Sequence, residues 1–269
     1  MTTPRDSYTH GHHDSVLRSH RWRTVANSAA YLQDHLRPGV SLLDVGCGPG
    51  TLSVDLARHV APGRVLATDD VDEALDEARR HAAEAGVATI DFRVADAYDL
   101  DLADGSFGVV HAHQVLQHVS DPVAMLRELR RVVRDDGVVA VRDADYAGFT
   151  WYPEDPGLDR WLELYHTVAR GNGAEPDAGR RLLGWALDAG FAEVMPSASV
   201  WCHATDEDRA WWSDLWAERV RSSAFAAQAL ERGLVDAGEL EDLAAAWRRW
   251  GASDRGWLTI LHGEVVCRG

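Results

Sequence analysis

A glycine-rich loop near the start of the chain has the residue types of a turn that binds a nucleotide-like ligand. An apolar segment over residues 40–45 contains Asp44, the loop Gly46-Cys47-Gly48-Pro49-Gly50 follows at once, and a helical pattern begins at Thr51. Glycine lets the backbone turn tightly and lets a ligand approach the main chain closely. The loop therefore predicts a ligand at the carboxyl end of the first strand, and the small Cys47 is interpreted as a packed side chain rather than a nucleophile.

Acidic residues after three successive apolar segments indicate which ligand the loop binds. Asp44 would repel a pyrophosphate but suits the cationic amino group of a methionine moiety. Asp69 or Asp70 ends the second segment, where an acid binds ribose hydroxyls. Asp96 follows the third segment and can accept a hydrogen bond from an adenine amine. Because Thr51 also stands where a dinucleotide-binding loop has its third glycine, the pattern favours S-adenosylmethionine (SAM) over NAD.

Three histidines, His111, His113 and His118, follow the fourth apolar segment. Histidine titrates near neutral pH, so it is the natural general base for an acceptor that must lose a proton. We predict His118 and His113 as catalytic candidates that act as a base or orient the substrate. The alternative is that all three are solvated or supporting residues.

Strand-like and helix-like patterns alternate through the first half of the chain, and this alternation predicts a doubly wound parallel sheet. The predicted strands cover residues 40–45, 65–68, 89–94, 107–112 and 138–142, and the helices cover 14–36, 51–60, 72–85 and 122–134. Asp121-Pro122 starts the last of these helices, because Asp is a good N-cap and Pro suits the first helical position.

The second half of the chain breaks this alternation and is rich in aromatic residues. A turn-rich segment at 148–157 precedes helices over 158–169 and 177–189, a strand over 191–203, a largely helical segment over 206–250, and one or two strands over 257–267. Ten of the eleven tryptophans lie at or beyond Trp151. They either fill the core of a helical cap or line a pocket for an apolar substrate, and both can hold.

The segment Leu43 to Thr51 resembles motif I of class I SAM-dependent methyltransferases, in particular the group that includes the ubiquinone and menaquinone C-methyltransferases. Asp69, Asp96-Ala97, and the segments 104–118 and 132–141 match further motifs of that family in order. The resemblance is dense over residues 38–143. It implies an α/β Rossmann-like, doubly wound and mostly parallel seven-stranded sheet, with an antiparallel last strand and helical cap insertions. It also implies SAM as methyl donor and S-adenosylhomocysteine (SAH) as product.

By analogy with the family, the N-terminal segment folds over the donor as a lid, with Tyr8 against the sulfonium and Arg23 paired to the donor carboxylate. The organisation expected from sequence and resemblance is a lid and helix (1–37), a SAM-binding core (38–147), a substrate-side insertion (148–190), and the final strands with a cap over about 206–250 (191–269). The predicted cofactor-binding residues are Tyr8, Arg23, Asp44, Gly46, Cys47, Gly48, Asp69, Asp70, Asp96, Ala97 and His113.

The composition of the chain limits the classes of substrate and partner that we expect. The net charge is −16, from 27 basic and 43 acidic residues, which argues against nucleic acid and anionic membranes as partners. There is no signal-peptide pattern, and the three cysteines are widely spaced, so we expect a cytoplasmic protein without a metal site. We predict methyl transfer to a small, apolar or aromatic metabolite by a monomer or homodimer. The alternatives are SAM-dependent chemistry other than methyl transfer, or a nicotinamide-dependent oxidoreductase.

Overall fold

The computed structural model describes Thr9 and residues 14–269. Its first elements are the short helices α1 (Asp14–Arg21) and α2 (Val25–Ser28) and a 3-10 turn at Ala30–His35. The prediction of one continuous helix over 14–36 is wrong. Thr24 is extended, its hydroxyl accepts a hydrogen bond from Asn27 N, and Asn27 Oδ1 accepts one from Thr24 N. This reciprocal capping box starts a new helix at that point.

A parallel sheet with alternating helices forms the core, as predicted. Its elements are β1 (Leu42–Val45), α3 (Thr51–Val60), β2 (Val65–Asp69), α4 (Asp72–Glu84), β3 (Ile90–Val94), β4 (Phe107–His113), α5 (Pro122–Val132) and β5 (Val133–Ala144). The strands lie in the order β3-β2-β1-β4-β5 and are mutually parallel. The side chain of Asp121 accepts from Ala124 N and caps α5, with Pro122 at its first position.

The second half adds antiparallel strands and a helical cap. Its elements are β6 (Thr150–Tyr152), α6 (Pro156–Gly171), a 3-10 turn at Ala178–Arg181, α7 (Leu182–Asp188), β7 (Glu193–His203), α8 (Asp206–Ser222), α9 (Ala224–Glu231), α10 (Ala237–Ala252) and β8 (Trp257–Arg268). The last strand, β8, pairs antiparallel with β5 and β7. The fold class is confirmed, and the three-residue β6 adds an eighth strand beside β8. Within the described residues, no helix is both long and apolar enough to cross a bilayer.

The predicted helix over 177–189 is divided, so this prediction is also wrong. Arg180 N donates to Asp145 Oδ2, outside the turn. Gly179 packs against the main chain of β8, where a Cβ on Gly179 would lie 2.7 Å from Gly263 N. The segment is therefore held to the end of β5 as a tight 3-10 turn before α7 begins at Leu182.

The cap has an aromatic core built by α6, α8 and α10. Trp161 is fully buried at its centre, and its ring lies edge-on to those of Trp216 and Trp247, at centroid distances of 4.6 and 4.8 Å. Edge-to-face packing is a favoured arrangement of aromatic rings. Trp161, Trp216 and Trp247 thus fill a core, as one of the two interpretations of the tryptophan-rich second half expects.

Candidate functional site

A cavity of about 790 Å³ lies beyond the carboxyl ends of β1, β2, β3 and β4. This is the edge of a doubly wound sheet at which ligands bind. Tyr8 lies outside the described residues, whereas every other predicted site residue lines this cavity. These residues are Arg23, Asp44, Gly46, Cys47, Gly48, Asp69, Asp70, Asp96, Ala97, His113 and His118. The structure therefore brings the predicted residues together, and their individual roles stay predictions.

The glycine loop forms a narrow cradle on the floor of the cavity. Gly46 has φ +70°, and a Cβ there would lie 2.5 Å from Val115 Cγ2. The amides of Gly46 and Cys47 both donate to Thr68 O, at 2.8 and 2.9 Å, and hold the loop against β2. A side chain at Gly46 would collide with Val115 and strain the backbone, so this geometry requires glycine. Burial raises the pKa of the Cys47 thiol well above its usual value, which suits a packed side chain.

Asp44 is a buried carboxylate braced from two sides. Ser53 Oγ donates to its Oδ2 at 2.5 Å, and His111 Nδ1 donates to its Oδ1 at 2.8 Å. Each carboxylate oxygen retains a lone pair, so the group can still accept from a cationic ligand. Sequence reasoning missed the role of His111 in positioning Asp44. Asp44 and His111 are direct neighbours in the register of β1 and β4, and this pairing reveals the role of His111.

Two further carboxylates follow β2 and β3. Asp69 accepts from Gly48 N at 2.9 Å and from Val71 N at 3.1 Å, so it braces the glycine loop as well as facing the cavity. Asp70 is exposed. Asp96 accepts from Tyr98 N at 2.9 Å and lies on the exposed rim. Of the two acids left open by the sequence, this geometry favours Asp69 as the one that positions the ligand.

Helix α1 roofs the cavity. Its residues Leu17 and His20 line the space, and its charged side chains tie it to both halves of the protein. Arg21 pairs with Glu77 of α4 at 2.7 Å, and Arg18 pairs with Asp214 of α8 at 3.1 Å. Each of these partly exposed ion pairs contributes at most about 1 kcal/mol. The helix is also held by buried contacts, since Val16 is 1% exposed and Arg219 donates to Ser15 O and Ser19 Oγ.

A second, smaller chamber of about 30 Å³, the volume of roughly one water molecule, adjoins the cavity. Both spaces are lined by His20, Arg23, Gln114 and His118. The other lining residues of the chamber include five aromatic side chains: Tyr146, Phe149, Trp201, Trp212 and Trp216. The aromatic second half of the chain therefore also lines a pocket, which is the other interpretation of its tryptophans.

Gln114 joins the two spaces and was missed by sequence reasoning. It follows β4 with φ +55°, an uncommon conformation for a residue with a side chain. Its Oε1 accepts from the Arg23 guanidinium, and its Nε2 donates to His262 Nε2 at 2.9 Å. Because a guanidinium only donates, the amide orientation is determined, and His262 must accept at Nε2. Burial lowers the pKa of His262 well below its usual value, in agreement with a neutral ring. No residue-type pattern signals this arrangement.

The two histidines predicted as catalytic differ in their surroundings. Gln117 Oε1 accepts from Ala144 N at 3.1 Å, so Gln117 Nε2 donates to His118 Nε2 at 2.9 Å. His118 therefore carries its proton on Nδ1, and burial, with a smaller effect of Arg23, lowers its pKa to about 3. His113 is 5% exposed, and neither of its ring nitrogens has a hydrogen-bond partner among the described residues. A neutral, buried imidazole at the cavity wall suits a ligand that donates or accepts a hydrogen bond.

Three polar residues at the end of β5, Asp143, Asp145 and Tyr146, have different surroundings. Tyr146 lines the small chamber. Asp145 instead binds Arg180 through two hydrogen bonds of 2.6 Å. Asp143 accepts from Gln117 N at 3.0 Å, while its Oδ2 has no partner within the described part of the chain. Burial raises the pKa of Asp143 to about 7.

We expect the stability of the fold to depend on pH through Asp143, and we expect Asp143→Asn to remove this dependence. The folded pKa of about 7 exceeds the ordinary aspartate pKa of 3.8, so between these pH values the folded protein keeps a proton that the unfolded chain has released. The contribution of the protonated Asp143 to the free energy of unfolding is fully present below about pH 4. It is lost as the pH rises towards 7, at about 1.4 kcal/mol per pH unit. We expect Asp143→Asn to gain stability relative to the parent protein by about 2 kcal/mol between pH 5 and pH 7, measured by urea unfolding. Exposed Asp136→Asn is the control; an equal change there would contradict this assignment.

Comparison with known proteins agrees with this geometry. The sequence profile of the methyltransferase domain family matches residues 36–216. An uncharacterized methyltransferase of Schizosaccharomyces pombe is 34% identical, with 99% of this chain and 98% of that protein aligned. A protein of Aspergillus luteorubrus named as a probable methyltransferase is 26% identical, with 98% of each chain aligned.

A solved structure shares the fold. The phosphoethanolamine N-methyltransferase 2 of Haemonchus contortus, solved with phosphomonomethylethanolamine and SAH, has a TM-score of 0.57 at 16% identity, covering 89% of this chain and 52% of its own. At this identity the likeness concerns the arrangement of strands and helices alone.

Proposed function

Since this chain belongs to the methyltransferase domain family and uses SAM as its methyl donor, we propose that it methylates a small, apolar or aromatic metabolite. The observation that carries the proposal is the aromatic chamber, which shares His20, Arg23, Gln114 and His118 with the donor cavity. A nucleophile in that chamber faces the same side chains as the donor, and proximity of this kind is the main requirement of methyl transfer.

The donor cavity has the groups that SAM requires. When bound, SAM supplies an activated methyl group on a cationic sulfonium. In the proposed arrangement Asp44 accepts from the amino group of the donor, Asp69 from its ribose, and Asp96 from its adenine, while the cradle at Gly46 admits the ligand to the main chain. His113, with both ring nitrogens lacking partners within the described region, is available to the donor or the acceptor.

Helix α1 is proposed to exclude water from the junction of the two spaces, because its residues His20 and Leu17 line the donor cavity. Exclusion of water strengthens electrostatic interactions there and protects a reactive sulfonium. Because the chamber of about 30 Å³ is too small for an aromatic metabolite, an acceptor can enter it only if one of its walls moves. We propose that α1 moves away to admit the acceptor and then closes again.

His118 is proposed to donate a hydrogen bond from Nδ1 to the acceptor rather than to remove its proton, since its pKa of about 3 makes it a weak base. The side-chain amide of asparagine can place a hydrogen-bond donor where His118 Nδ1 lies. The longer side chain of glutamine places its amide near the position of His118 Nε2 instead. We expect His118→Asn to retain about five times the turnover of His118→Gln, with SAH affinity similar in both, because one neutral hydrogen-bond donor contributes about 1 kcal/mol at a buried site. Equal loss of turnover in the two variants would support a base instead.

Mass spectrometry of metabolite extracts incubated with the protein and methyl-labelled SAM tests the proposed function directly. We expect a labelled product of low molecular weight whose unlabelled parent is apolar or aromatic. Label found only in protein or nucleic acid would contradict the proposal.

A further inference from the structure

A second large cavity, of about 550 Å³, lies at the opposite edge of the sheet from the donor cavity. Its walls include Val133, the first residue of β5, and Gly269, which follows the end of β8. The donor cavity lies beyond the carboxyl ends of the parallel strands, whereas this cavity lies at the amino end of β5. A ligand bound here would not contact the methyl donor, so any role of this cavity is separate from the transfer step.

Arginines dominate the walls of this second cavity, which we call the arginine cleft. Its charged lining residues are Arg127, Arg130, Arg131, Arg134 and Asp135. Such a cluster contrasts with the net charge of the chain, which is −16. Arg131 is neutralised by Glu128 and Asp104, at 2.6 Å each. The positive charge of the cleft therefore depends on the other three arginines.

Arg127 and Arg134 are held in place by neutral groups. Arg127 Nη2 donates to Asp188 O at 3.1 Å, and Arg134 Nη2 donates to Ser106 O at 3.3 Å. Within the described residues, neither guanidinium forms an ion pair with a carboxylate. A guanidinium has five N–H donors, so each of these two groups keeps its charge and most of its donors available to a ligand.

Arg130 lies between these two arginines in the sequence and is held in a similar way. Its Nε donates to Gly269 O at 2.6 Å, and its guanidinium lies 5.9 Å from the centre of the Phe191 ring. Even if Gly269 bears a terminal carboxylate, that group and Asp135 are the only negative charges among the lining residues of the cleft. Because side chains that are already held lose little freedom when a ligand binds, the three anchored arginines form a prearranged site for an anion.

The size and charge of the cleft indicate which kind of anion fits it. The three guanidinium groups come from two elements, α5 and the start of β5, and each presents a fork that matches one phosphate or carboxylate group. A volume of about 550 Å³ is in the range of small-molecule pockets and exceeds what one such group fills. The remaining lining residues have no polar side chain; they are Val133, Ala189 and Gly269. The cleft therefore favours a small ligand with at least two neighbouring anionic groups.

We propose that the arginine cleft is a binding site for a diphosphate group, either as the free inorganic ion or as part of a phosphate ester. A diphosphate combines adjacent negative charges with oxygen acceptors for guanidinium forks on both sides of the cleft. The three arginines are exposed, so salt screens the attraction and the affinity falls as the ionic strength rises. This site is independent of the identity of the methyl acceptor.

Isothermal titration calorimetry of the full chain saturated with SAH tests the proposal, with inorganic diphosphate as the first titrant and ADP as the second. SAH fills the donor cavity, so that the adenine of ADP cannot enter it. We expect one diphosphate to bind per chain, with an affinity that falls roughly tenfold when the NaCl concentration rises from about 50 to about 500 mM. Binding of ADP supports a site for phosphate esters, and binding of inorganic diphosphate alone supports a site for the free ion.

Arg127→Gln combined with Arg134→Gln should weaken the binding of diphosphate about 25-fold, because each exposed ion pair contributes about 1 kcal/mol, which is a factor of about five. Asp135→Asn should instead strengthen the binding about two- to fivefold, since it removes a lining carboxylate that repels an anion. Opposite effects of the two changes cannot result from a general loss of structure.

Arg58→Gln is the matched control, because Arg58 is an exposed arginine in the last turn of α3 that donates to Ala85 O at 3.4 Å and lies outside the cleft. It should change the affinity by less than about twofold. Absence of binding by both titrants, an equal loss caused by Arg58→Gln, or an affinity unaffected by the double variant would overturn the proposal. Tighter binding of a hexaglutamate peptide than of diphosphate would also overturn it, since the surface would then fit an acidic protein.

Discussion

Asp69→Ala should weaken the binding of SAH by roughly 30- to 150-fold, since removing a charged hydrogen-bond acceptor costs about 2–3 kcal/mol. Asp69 has two tasks in this structure. It lines the donor cavity, and it holds the glycine loop through Gly48 N and Val71 N. The substitution removes the proposed ribose contact and loosens the cradle at the same time. Isothermal titration calorimetry with SAH measures the change.

Asp70→Ala provides the matched control, because Asp70 is the adjacent carboxylate and lines the same cavity but is exposed. We expect its effect on SAH affinity to stay within about threefold, as is usual for an exposed charge. A larger loss at Asp70 than at Asp69 would mean that the ribose contact belongs to Asp70.

Trp161→Ala should lower the free energy of unfolding by about 3–5 kcal/mol, because it leaves a large cavity in a packed core. Trp161 is fully buried, and its ring contacts those of Trp216 and Trp247. Since Trp216 is also a wall of the small chamber, the substitution should increase the mobility of that wall. Urea unfolding followed by circular dichroism measures the loss of stability.

Trp257→Ala is the control for this loss. Trp257 lies at the start of β8 and is 41% exposed, so its removal should cost less than about 1 kcal/mol. Comparable destabilisation by the two variants would contradict the view that the cap is organised around Trp161.

The parallel core was predictable because local signals agree with the tertiary fold there. Buried strands such as β1 are continuous apolar segments, and the loop that follows β1 requires glycine for steric reasons visible at Gly46 and Gly50. A Cβ at Gly50 would lie 2.6 Å from Ala78 Cβ. Apart from Leu17, His20 and Arg23, the residues lining the donor cavity come from this region, so their proximity followed from the order of the strands.

Two of the features that sequence reasoning missed depend on contacts between distant segments, whereas the break in the first predicted helix is local. The continuous helix predicted over 14–36 had the right apolar spacing, but the capping box at Thr24 and Asn27 ends that periodicity locally. Gln114 has no distinctive neighbours in sequence, and its importance comes from Arg23 and His262, which lie 91 and 148 residues away. Asp143 and Asp145, at the end of β5, are the same residue type two positions apart, so the sequence does not distinguish them. In the structure Asp145 pairs with Arg180, whereas Asp143 accepts a hydrogen bond from Gln117 N.

A calorimetric titration of the full chain with SAH and with NAD tests the central claim most directly. The claim is that Asp44, Asp69 and the cradle at Gly46 form a site for the methyl donor. We predict that SAH binds at one site per chain, that NAD does not bind, and that Asp69→Ala removes most of the SAH affinity. Tight binding of NAD, or SAH binding that is unaffected by Asp69→Ala, would contradict it.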